Sequence, residues 1–229
     1  MKIEILQLID GAKQAKGLTV IIDVFRAFTV EAYLMKNNAK TIIPVASEQV
    51  AYKLKEENSN YILIGERGGK KLPGFDYGNS PSEIEKIDFT NKTIIHTTSA
   101  GTQGFENAKN ATELITGSLV NAKAIAEYIK RKNPDFVSLV CMGLAAKVEI
   151  EEDTCCAEYI KAMLLNEKYD IKKKVKSLKK TSGAKFFDKD KKNIFPKKDF
   201  YLSTKLNAFD FVLRLDGEVE NKHIQKIGI

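Results

Sequence analysis

The chain has 229 residues, of which 43% are hydrophobic, so it is long enough to bury a substantial core as one large domain or two small ones. Its first residues lead quickly into charged sequence, and no apolar run approaches the ~18 residues of a membrane span, so we predict neither a signal peptide nor a transmembrane helix. Three cysteines crowded into one stretch do not resemble the disulfide framework of a secreted protein. We therefore expect reduced thiols and a cytoplasmic location.

The net charge of +7 is unevenly distributed along the chain. Residues 161–229 contain 18 Lys or Arg against 9 Asp or Glu, whereas residues 1–160 contain 19 against 21. Because the basicity belongs to the tail, we favour a solvated helix face or loop over a nucleic-acid or other anionic partner for its basic run. This run consists of Lys172, Lys173, Lys174, Lys176, Lys179 and Lys180.

Short apolar runs rich in β-branched residues predict strands. In chain order they are IEILQL, LTVIIDV, TIIPV, YILIGE, TIIHTT, ELITGS and FVSLVCM. Segments with helical spacing lie between many of them, such as AFTVEAYLMKNN, SEQVAYKLKEEN, LVNAKAIAEYIKRK and EEDTCCAEYIKAMLLNEK. Because parallel strands need crossover connections and are covered on both faces, this alternation predicts a three-layer α/β/α fold with a mainly parallel sheet.

The alternation weakens after about residue 170. We therefore predict a main α/β domain over 1–169 and a Lys-rich C-terminal subdomain or docking arm over 170–229. The arm contains the apolar segment LNAFDFVLRLDG, which could also pack against a second subunit, so a homodimer is an open alternative. In open α/β sheets ligands bind beyond the carboxyl ends of the strands, so polar residues just after the predicted strands are the candidates for a site.

Charged side chains follow two of these strands. Asp23 and Arg26 lie between LTVII and the next helix, where both would face one crevice; a structural salt bridge is the alternative. Glu66 and Arg67 end another strand and enter a loop that also contains lysines. Glycines let backbone N–H groups approach a ligand closely, and the cations suit a polyanion. The glycines of this loop are Gly65, Gly68, Gly69, Gly74 and Gly78.

Hydroxyl and amide groups gather at three further turns that open helices. Ser80 precedes Pro81, and the sequence favours equally two roles for it, capping the helix and contacting the substrate. The turn after TIIHTT offers hydroxyls and unpaired N–H groups at a positive helix end, which suits a phosphate or sulfonate, although Walker spacing is absent. The substrate-binding candidates are Asn79, Ser80, Thr98, Ser99, Gly101, Thr102, Ser118 and Asn121.

Four acids, Glu149, Glu151, Glu152 and Asp153, lie at the start of a predicted helix. Interaction with the helix dipole explains most of them. Together with Asp23 and Glu66, however, Glu152 or Asp153 could complete an all-oxygen site of the kind that Mg²⁺ prefers.

Other catalytic chemistries fit the sequence less well. His96 lies inside an apolar strand and His223 lies in the tail, so neither is predicted as a nucleophile or ligand, and a zinc site is not expected. The stretch after Cys141 lacks the arginine of a cysteine-phosphatase loop. Asp23 resembles the nucleophile of haloacid-dehalogenase phosphatases, but Phe25 replaces the second Asp of their DxD motif.

Five segments, in order, resemble the signature blocks of the 2-phosphosulfolactate phosphatase family. They are DVFRAFT, GERGGKKLPGFDYGNSP, HTTSAGT, GSLVNA and EDTCCA, and the glycine-rich block is the most specific. The resemblance implies Mg²⁺-dependent hydrolysis of the phosphate ester of a small acid that also carries carboxylate and sulfonate, on the route to coenzyme M. The residues by themselves indicate only a site for a small polyanion.

On this basis the expected catalytic residues are Asp23, Arg26, Glu66 and Arg67. Asp23 and Glu66, with Asp153, would hold Mg²⁺, and the two arginines would neutralise the phosphoryl oxygens in the transition state. An aspartyl-phosphate on Asp23 stays open as a second route. The alternatives are a broader phosphatase acting on 2-phospho-hydroxy acids and a non-catalytic polyanion-binding protein.

Overall fold

The structure is a computed structural model and describes residues 1–217 and 222–229. Its strands are β1 (Lys2–Gln7), β2 (Lys16–Ile22), β3 (Thr41–Pro44), β4 (Ile62–Arg67), β5 (Lys70–Lys71), β6 (Thr93–Thr97), β7 (Asn110–Gly117), β8 (Phe136–Cys141), β9 (Phe211–Asp216) and β10 (His223–Gly228). Its α-helices are α1 (Leu8–Gln14), α2 (Ala27–Lys36), α3 (Glu48–Glu57), α4 (Pro81–Ile84), α5 (Gly101–Asn107), α6 (Ala122–Lys132), α7 (Glu151–Leu165), α8 (Ile171–Leu178) and α9 (Lys197–Ser203). Two 3₁₀ turns, Ala184–Phe187 and Lys189–Lys191, lie between α8 and α9.

Local sequence signals set several helix boundaries. The hydroxyl of Ser47 caps α3 by accepting the N–H of Val50 at 3.3 Å. Asp170 caps α8 in the same way by accepting the N–H of Lys173 at 3.0 Å. At the other end, α6 and α7 stop at Asn133 and Asn166, which adopt the left-handed conformation that asparagine tolerates at such positions.

The strands form one sheet in the order β1-β8-β2-β7-β9-β10-β3-β6-β4-β5. Parallel pairings join β1, β8, β2 and β7 into one group and β3, β6 and β4 into a second. The antiparallel β9 and β10 lie between the groups, and β5 pairs antiparallel with β4. The predicted mainly parallel sheet is confirmed, and every predicted apolar run forms a strand.

Strand direction reverses at each antiparallel pairing, so the two parallel groups run in opposite senses along the sheet. Nevertheless the loops after β2 and β6, one from each group, meet: a Cβ atom at Gly101 would lie 3.2 Å from Oδ2 of Asp23. The site therefore forms between the two parallel groups.

Helices cover both faces of the sheet. Along β2, Ile21 belongs to one apolar cluster, whereas Val20 and Ile22 belong to another, as the alternation of side chains along a strand requires. The first cluster packs against α1, α2 and α5 through residues such as Phe28, and the second packs against α6 and α7 through residues such as Ile160. The three-layer α/β/α prediction is confirmed.

The C-terminal sequence contributes two central strands. β9 pairs with β7, β10 pairs with β3, and the two strands pair with each other. Upstream of them, α8 buries Ile171 and Leu178 and turns most of the basic run outward. The division at residue 169 stays a prediction, and residues 218–221 of the predicted arm lie outside the described residues.

None of the helices in the described part of the chain is both long and apolar enough to cross a bilayer.

Truncating a side chain in β9 should destabilise the whole fold. Leu213 is fully buried between the two parallel groups, so Leu213→Ala should lower the free energy of unfolding by about 2–5 kcal/mol. Urea denaturation followed by circular dichroism measures this change. Leu144 is 54% exposed, so Leu144→Ala is the matched control and should change it by no more than about 0.5 kcal/mol. Similar losses in both variants would contradict a central role for β9.

Candidate active site

Asp23 lies in the short turn between β2 and α2, and its side chain is 7% exposed. Its Oδ1 accepts the N–H of Ala27, in the first turn of α2, at 3.3 Å. Burial raises the pKa of Asp23 to about 7, with repulsion from Glu66 and Glu152 adding to the shift. The structure thus brings together acids from three separate segments, and one of them changes protonation near neutral pH.

Glu66, at the end of β4, links two loops. Its Oε2 accepts the N–H of Gly69 at 2.6 Å, and its Oε1 accepts the N–H of Ser99 at 2.8 Å. Gly69 has a φ of +82°, and a Cβ atom there would lie 2.6 Å from the ring of Phe195. Only glycine therefore fits at this point of the glycine-rich loop, and the carboxylate fixes that loop against the turn after β6.

The turn between β6 and α5 places its backbone against Asp23. Thr98 accepts the N–H of Thr102 through Oγ1 at 3.2 Å, and the Thr102 hydroxyl donates to the carbonyl of Thr98 at 3.3 Å. Gly101 allows the close approach, since a Cβ atom would lie 2.9 Å from the ring of Phe28 as well as near Asp23. Asp23, Glu66 and the predicted Thr98–Thr102 turn therefore share one location.

Two acids at the start of α7, Glu152 and Asp153, join Asp23 and Glu66 in one acidic cluster. Asp153 accepts the N–H of Val24 at 2.8 Å and the N–H of Gly143 at 2.9 Å, which ties the ends of β2 and β8 to α7. Burial and then Asp23 raise the pKa of Asp153 well above its usual range. Glu152 is also fully buried, and within the described residues neither of its carboxylate oxygens has a hydrogen-bond partner. Burial raises the pKa of Glu152 as well.

Arg26 forms a buried ion pair that the sequence did not reveal. Its Nη1 lies 2.7 Å from Oδ2 of Asp199 in α9, and the two side chains are 4% and 0% exposed. Arg26 also donates to the carbonyls of Ile194 at 3.0 Å and Gly69 at 3.1 Å. The other carboxylate oxygen of Asp199 accepts the Ser80 hydroxyl at 2.9 Å. Nothing in the Lys-rich sequence around Asp199 indicates that this residue is buried and paired.

Arg67 is fixed by the ends of two neighbouring strands. It donates to the carbonyl of Glu66 at 2.7 Å and to Oγ1 of Thr97 at 3.0 Å. Its Nε lies 3.8 Å from Oε2 of Glu48, and about a third of the side chain is exposed. Unlike Arg26, it therefore keeps a surface that solvent reaches.

Asn79 belongs to a buried polar chain that sequence reasoning missed. Its Oδ1 lies 3.2 Å from Nε2 of His96, and Nδ1 of His96 lies 2.9 Å from Oε1 of Glu31. His96 and Glu31 are both fully buried. The location of His96 inside an apolar strand was predicted correctly. Its Nε2, however, contacts Asn79, which lines a cavity of about 130 Å³ beside Arg26 and Gly69.

Ser118 and Asn121 lie deeper than the other candidates. The Ser118 hydroxyl is 2.6 Å from that of Thr29, and Asn121 donates to the carbonyl of Phe211 at 3.4 Å. Their turn still adjoins the acidic cluster, because the N–H of Asp23 donates to the carbonyl of Gly117 at 3.3 Å. Substrate contact by Ser118 and Asn121 stays a prediction.

Within residues 1–217 and 222–229, no three His, Cys, Asp or Glu side chains converge into a complete metal site. Mg²⁺, however, is commonly held by one or two carboxylates together with substrate oxygens and water. The unpartnered, buried carboxylate of Glu152 beside Asp23 fits such a cation. Binding of Mg²⁺ by Asp23, Glu66 and Asp153 stays a prediction, and Glu152 is a further candidate ligand.

A mostly parallel α/β sheet with carboxylates, hydroxyls and glycine-rich turns beyond its strands is typical of enzymes that act on small anionic substrates. Comparison with known proteins gives the specific class. Residues 3–218 match the family described as 2-phosphosulpholactate phosphatase, so the chain belongs to that family, whose members are phosphoric monoester hydrolases. The resemblance predicted from the signature blocks is confirmed.

Individual relatives support this assignment. A probable 2-phosphosulfolactate phosphatase of Carboxydothermus hydrogenoformans is 41% identical over 169 residues, which cover 73% of this chain and 69% of the relative. A Bacillus subtilis protein of the same description is 32% identical over 210 residues, covering 88% and 89% of the two chains. One from Clostridium acetobutylicum is 36% identical over 164 residues, covering 70% and 69%.

The raised pKa of Asp23 should make stability pH-dependent. Between pH 3.8 and about 7 the folded protein retains a proton that the unfolded chain has released, so the free energy of unfolding falls as pH rises. In Asp23→Asn the free energy of unfolding should fall less steeply with pH. Above pH 7 the variant should be more stable than wild type, by about 1.4 kcal/mol for each unit of pKa shift that the substitution removes. Urea titrations in EDTA across this pH range measure it.

The control for this experiment is Asp10→Asn, because the side chain of Asp10 is 87% exposed. Asp10→Asn should keep the wild-type pH dependence. An unchanged slope in Asp23→Asn would show that the Asp23 carboxyl is not protonated in the folded protein near neutral pH.

The Arg26–Asp199 pair should show strong coupling. Arg26→Met leaves the Asp199 carboxylate buried without its cation and should cost about 3–5 kcal/mol of unfolding free energy. The double variant Arg26→Met/Asp199→Asn should recover part of that loss, as a double-mutant cycle by urea denaturation measures. The exposed pair Lys13–Asp10 is the control, and Lys13→Met should cost less than about 1 kcal/mol. Strict additivity at Arg26 and Asp199 would contradict the assignment.

Proposed function

We propose that this chain hydrolyses 2-phosphosulfolactate to sulfolactate and phosphate, in the cytoplasm and on the route to coenzyme M. The observation that carries the proposal is the acidic cluster of Asp23, Glu66, Glu152 and Asp153 beside the Thr98–Thr102 turn. Carboxylates repel a phosphorylated acid, so a purely anion-binding protein would not concentrate them at its site. An enzyme that brings a divalent cation and a phosphate ester together needs such carboxylates.

Mg²⁺ is the proposed cofactor, and one or two of the carboxylates of Asp23, Glu66, Asp153 and Glu152 would hold it together with substrate oxygens and water. Glu66 and Asp153 are already oriented by backbone N–H groups, and each of their oxygens retains a further lone pair. When bound, Mg²⁺ would supply Lewis-acid polarisation of a phosphoryl oxygen.

Asp23 is proposed as the reactive carboxylate. Without a bound metal the pKa of Asp23 is raised to about 7, and a carboxylate oxygen of Asp23 that is not bound to Mg²⁺ would accept a proton from an attacking water. Direct attack by the same carboxylate, giving an aspartyl-phosphate that water then cleaves, stays open. In either route the P–O bond to sulfolactate breaks, the oxygen of one water ends on phosphorus, and a proton equivalent to the one that water loses ends on the leaving oxygen, passed through Asp23 or solvent.

The turns around Asp23 are proposed to bind the anionic groups of the substrate. The N–H groups of Ser99 and Thr102 already donate to Glu66 and Thr98. The donors proposed for phosphoryl oxygens are therefore the Ser99 hydroxyl and the N–H of Gly101, which lies against Asp23. Arg67 retains exposed surface for a remote carboxylate or sulfonate. Arg26 is proposed to balance charge from a position fixed by Asp199, since a preorganised guanidinium loses little freedom when substrate binds. Association into a homodimer also stays a proposal, which light scattering would test.

The proposal predicts Mg²⁺-dependent phosphate release from 2-phosphosulfolactate by the purified chain, abolished by EDTA. Measuring kcat/KM for that ester and for 2-phospholactate, which lacks the sulfonate, separates a sulfonate-specific enzyme from a broader phosphatase. Equal efficiencies would favour the broader enzyme. Failure of the folded protein to hydrolyse either ester would refute the proposal and favour a non-catalytic polyanion-binding protein.

Replacement of Asp23 should remove the chemistry. Asp23→Asn should lower kcat by at least about 10²-fold, because a general base of this kind contributes that much or more. The exposed control Asp10→Asn should retain wild-type kcat, and circular dichroism should show both variants folded. A fully active Asp23→Asn would exclude both the general-base and the nucleophile roles.

A further inference from the structure

A lysine from the C-terminal sequence lies beside the acidic cluster. Lys185 belongs to the 3₁₀ turn Ala184–Phe187, and its side chain is half-buried. Its Nζ lies 5.9 Å from the ring centroid of Phe25, 5.6 Å from that of Phe186 and 5.4 Å from that of Phe195. Three aromatic faces therefore surround the ammonium group, an arrangement that attracts a cation.

These rings are part of the site's own framework. Phe25 lies in sequence between Asp23 and Arg26, and its ring packs edge-to-face on Phe186 at 5.0 Å. The ring of Phe195 lies 5.1 Å from the guanidinium of Arg26 and against Gly69. Lys185 and Arg26 are thus held on a shared aromatic wall that faces both the glycine-rich loop and the turn of Asp23.

Lys185 also differs from the two arginines in what its charge faces. Arg26 is paired with Asp199, and Arg67 binds the ends of β4 and β6. In the part of the chain that the structure describes, the ammonium of Lys185 forms no ion pair with a carboxylate and contacts these rings. Its contact with Phe25, which stands two residues after Asp23 in the chain, places the ammonium on the side of the site where the turn of Asp23 lies.

We propose that Lys185 binds the phosphoryl group of the substrate. The inference rests on the proposed function and identifies a cation that would contact the phosphoryl group from a position beside the carboxylates. A phosphate dianion that approaches Asp23 and Glu152 is repelled by both, and an ammonium already held beside them offsets this repulsion. The aromatic wall keeps the ammonium in position without consuming its N–H donors, so all three remain for phosphoryl oxygens.

The test compares Lys185→Met and Lys185→Arg with Lys189→Met, a matched change at an exposed lysine of the adjacent 3₁₀ turn. For each folded variant, kcat and KM are measured with Mg²⁺ on 2-phosphosulfolactate and on 2-phospholactate. Calorimetry with inorganic phosphate and Mg²⁺ measures anion binding without turnover. We expect Lys185→Met to lower kcat/KM about tenfold or more on both esters and to weaken phosphate binding by a similar factor. Lys185→Arg should recover part of the loss, and Lys189→Met should match wild type.

Two outcomes would overturn the proposal. Wild-type kinetics and phosphate affinity in Lys185→Met would show that the ammonium only neutralises buried acids. A loss confined to 2-phosphosulfolactate would assign Lys185 to the sulfonate instead. If wild-type protein hydrolysed neither ester, the proposed function would fail first, and calorimetry would still report whether Lys185 binds phosphate.

Discussion

The buried ion pair between Arg26 and Asp199 holds the candidate site together. Arg26 stands at the start of α2, and its partners Gly69, Ile194 and Asp199 come from the glycine-rich loop and from the C-terminal sequence. A charge pair this deeply buried is stable only if its remaining hydrogen-bonding capacity is satisfied, and Ser80 and the backbone of Ser82 provide this for Asp199. One interaction thus fixes the relative position of three segments that are distant in sequence.

The acidic cluster works against the stability of the unliganded fold. Asp23, Glu152 and Asp153 are removed from water and repel one another, and each raised pKa expresses that cost. The fold tolerates the cluster because backbone N–H groups of Ala27, Val24 and Gly143 bind Asp23 and Asp153. The buried carboxylate oxygens of Glu152 have no hydrogen-bond partner at normal distance among the described residues, and attraction to Lys185 offsets only part of the effect of burial, so a bound cation would stabilise Glu152 as well.

The sequence predicted the frame of the molecule and part of its site. β-branched runs identified seven strands, and the rule that ligands bind beyond strand ends selected Asp23, Glu66 and the Thr98–Thr102 turn, which the structure brings together. β5, β9 and β10 were not predicted as strands. β5 has only two residues, β9 lies in an apolar segment that was assigned to a docking arm, and β10 is short and half polar and pairs with β3 and β9. Asp199 and Lys185 were missed for a related reason: a charged residue in Lys-rich sequence carries no sign of whether folding will bury it.

The hairpin of β9 and β10 also determines when the sheet can be completed during protein synthesis. The strands before it make up two parallel groups, and no direct pairing joins those groups among the described residues. Only after residues 211–228 leave the ribosome can the edges of β7 and β3 be covered. Until then both edges expose unpaired backbone groups to other nascent chains, which is the condition under which partly folded chains pair edge to edge and aggregate.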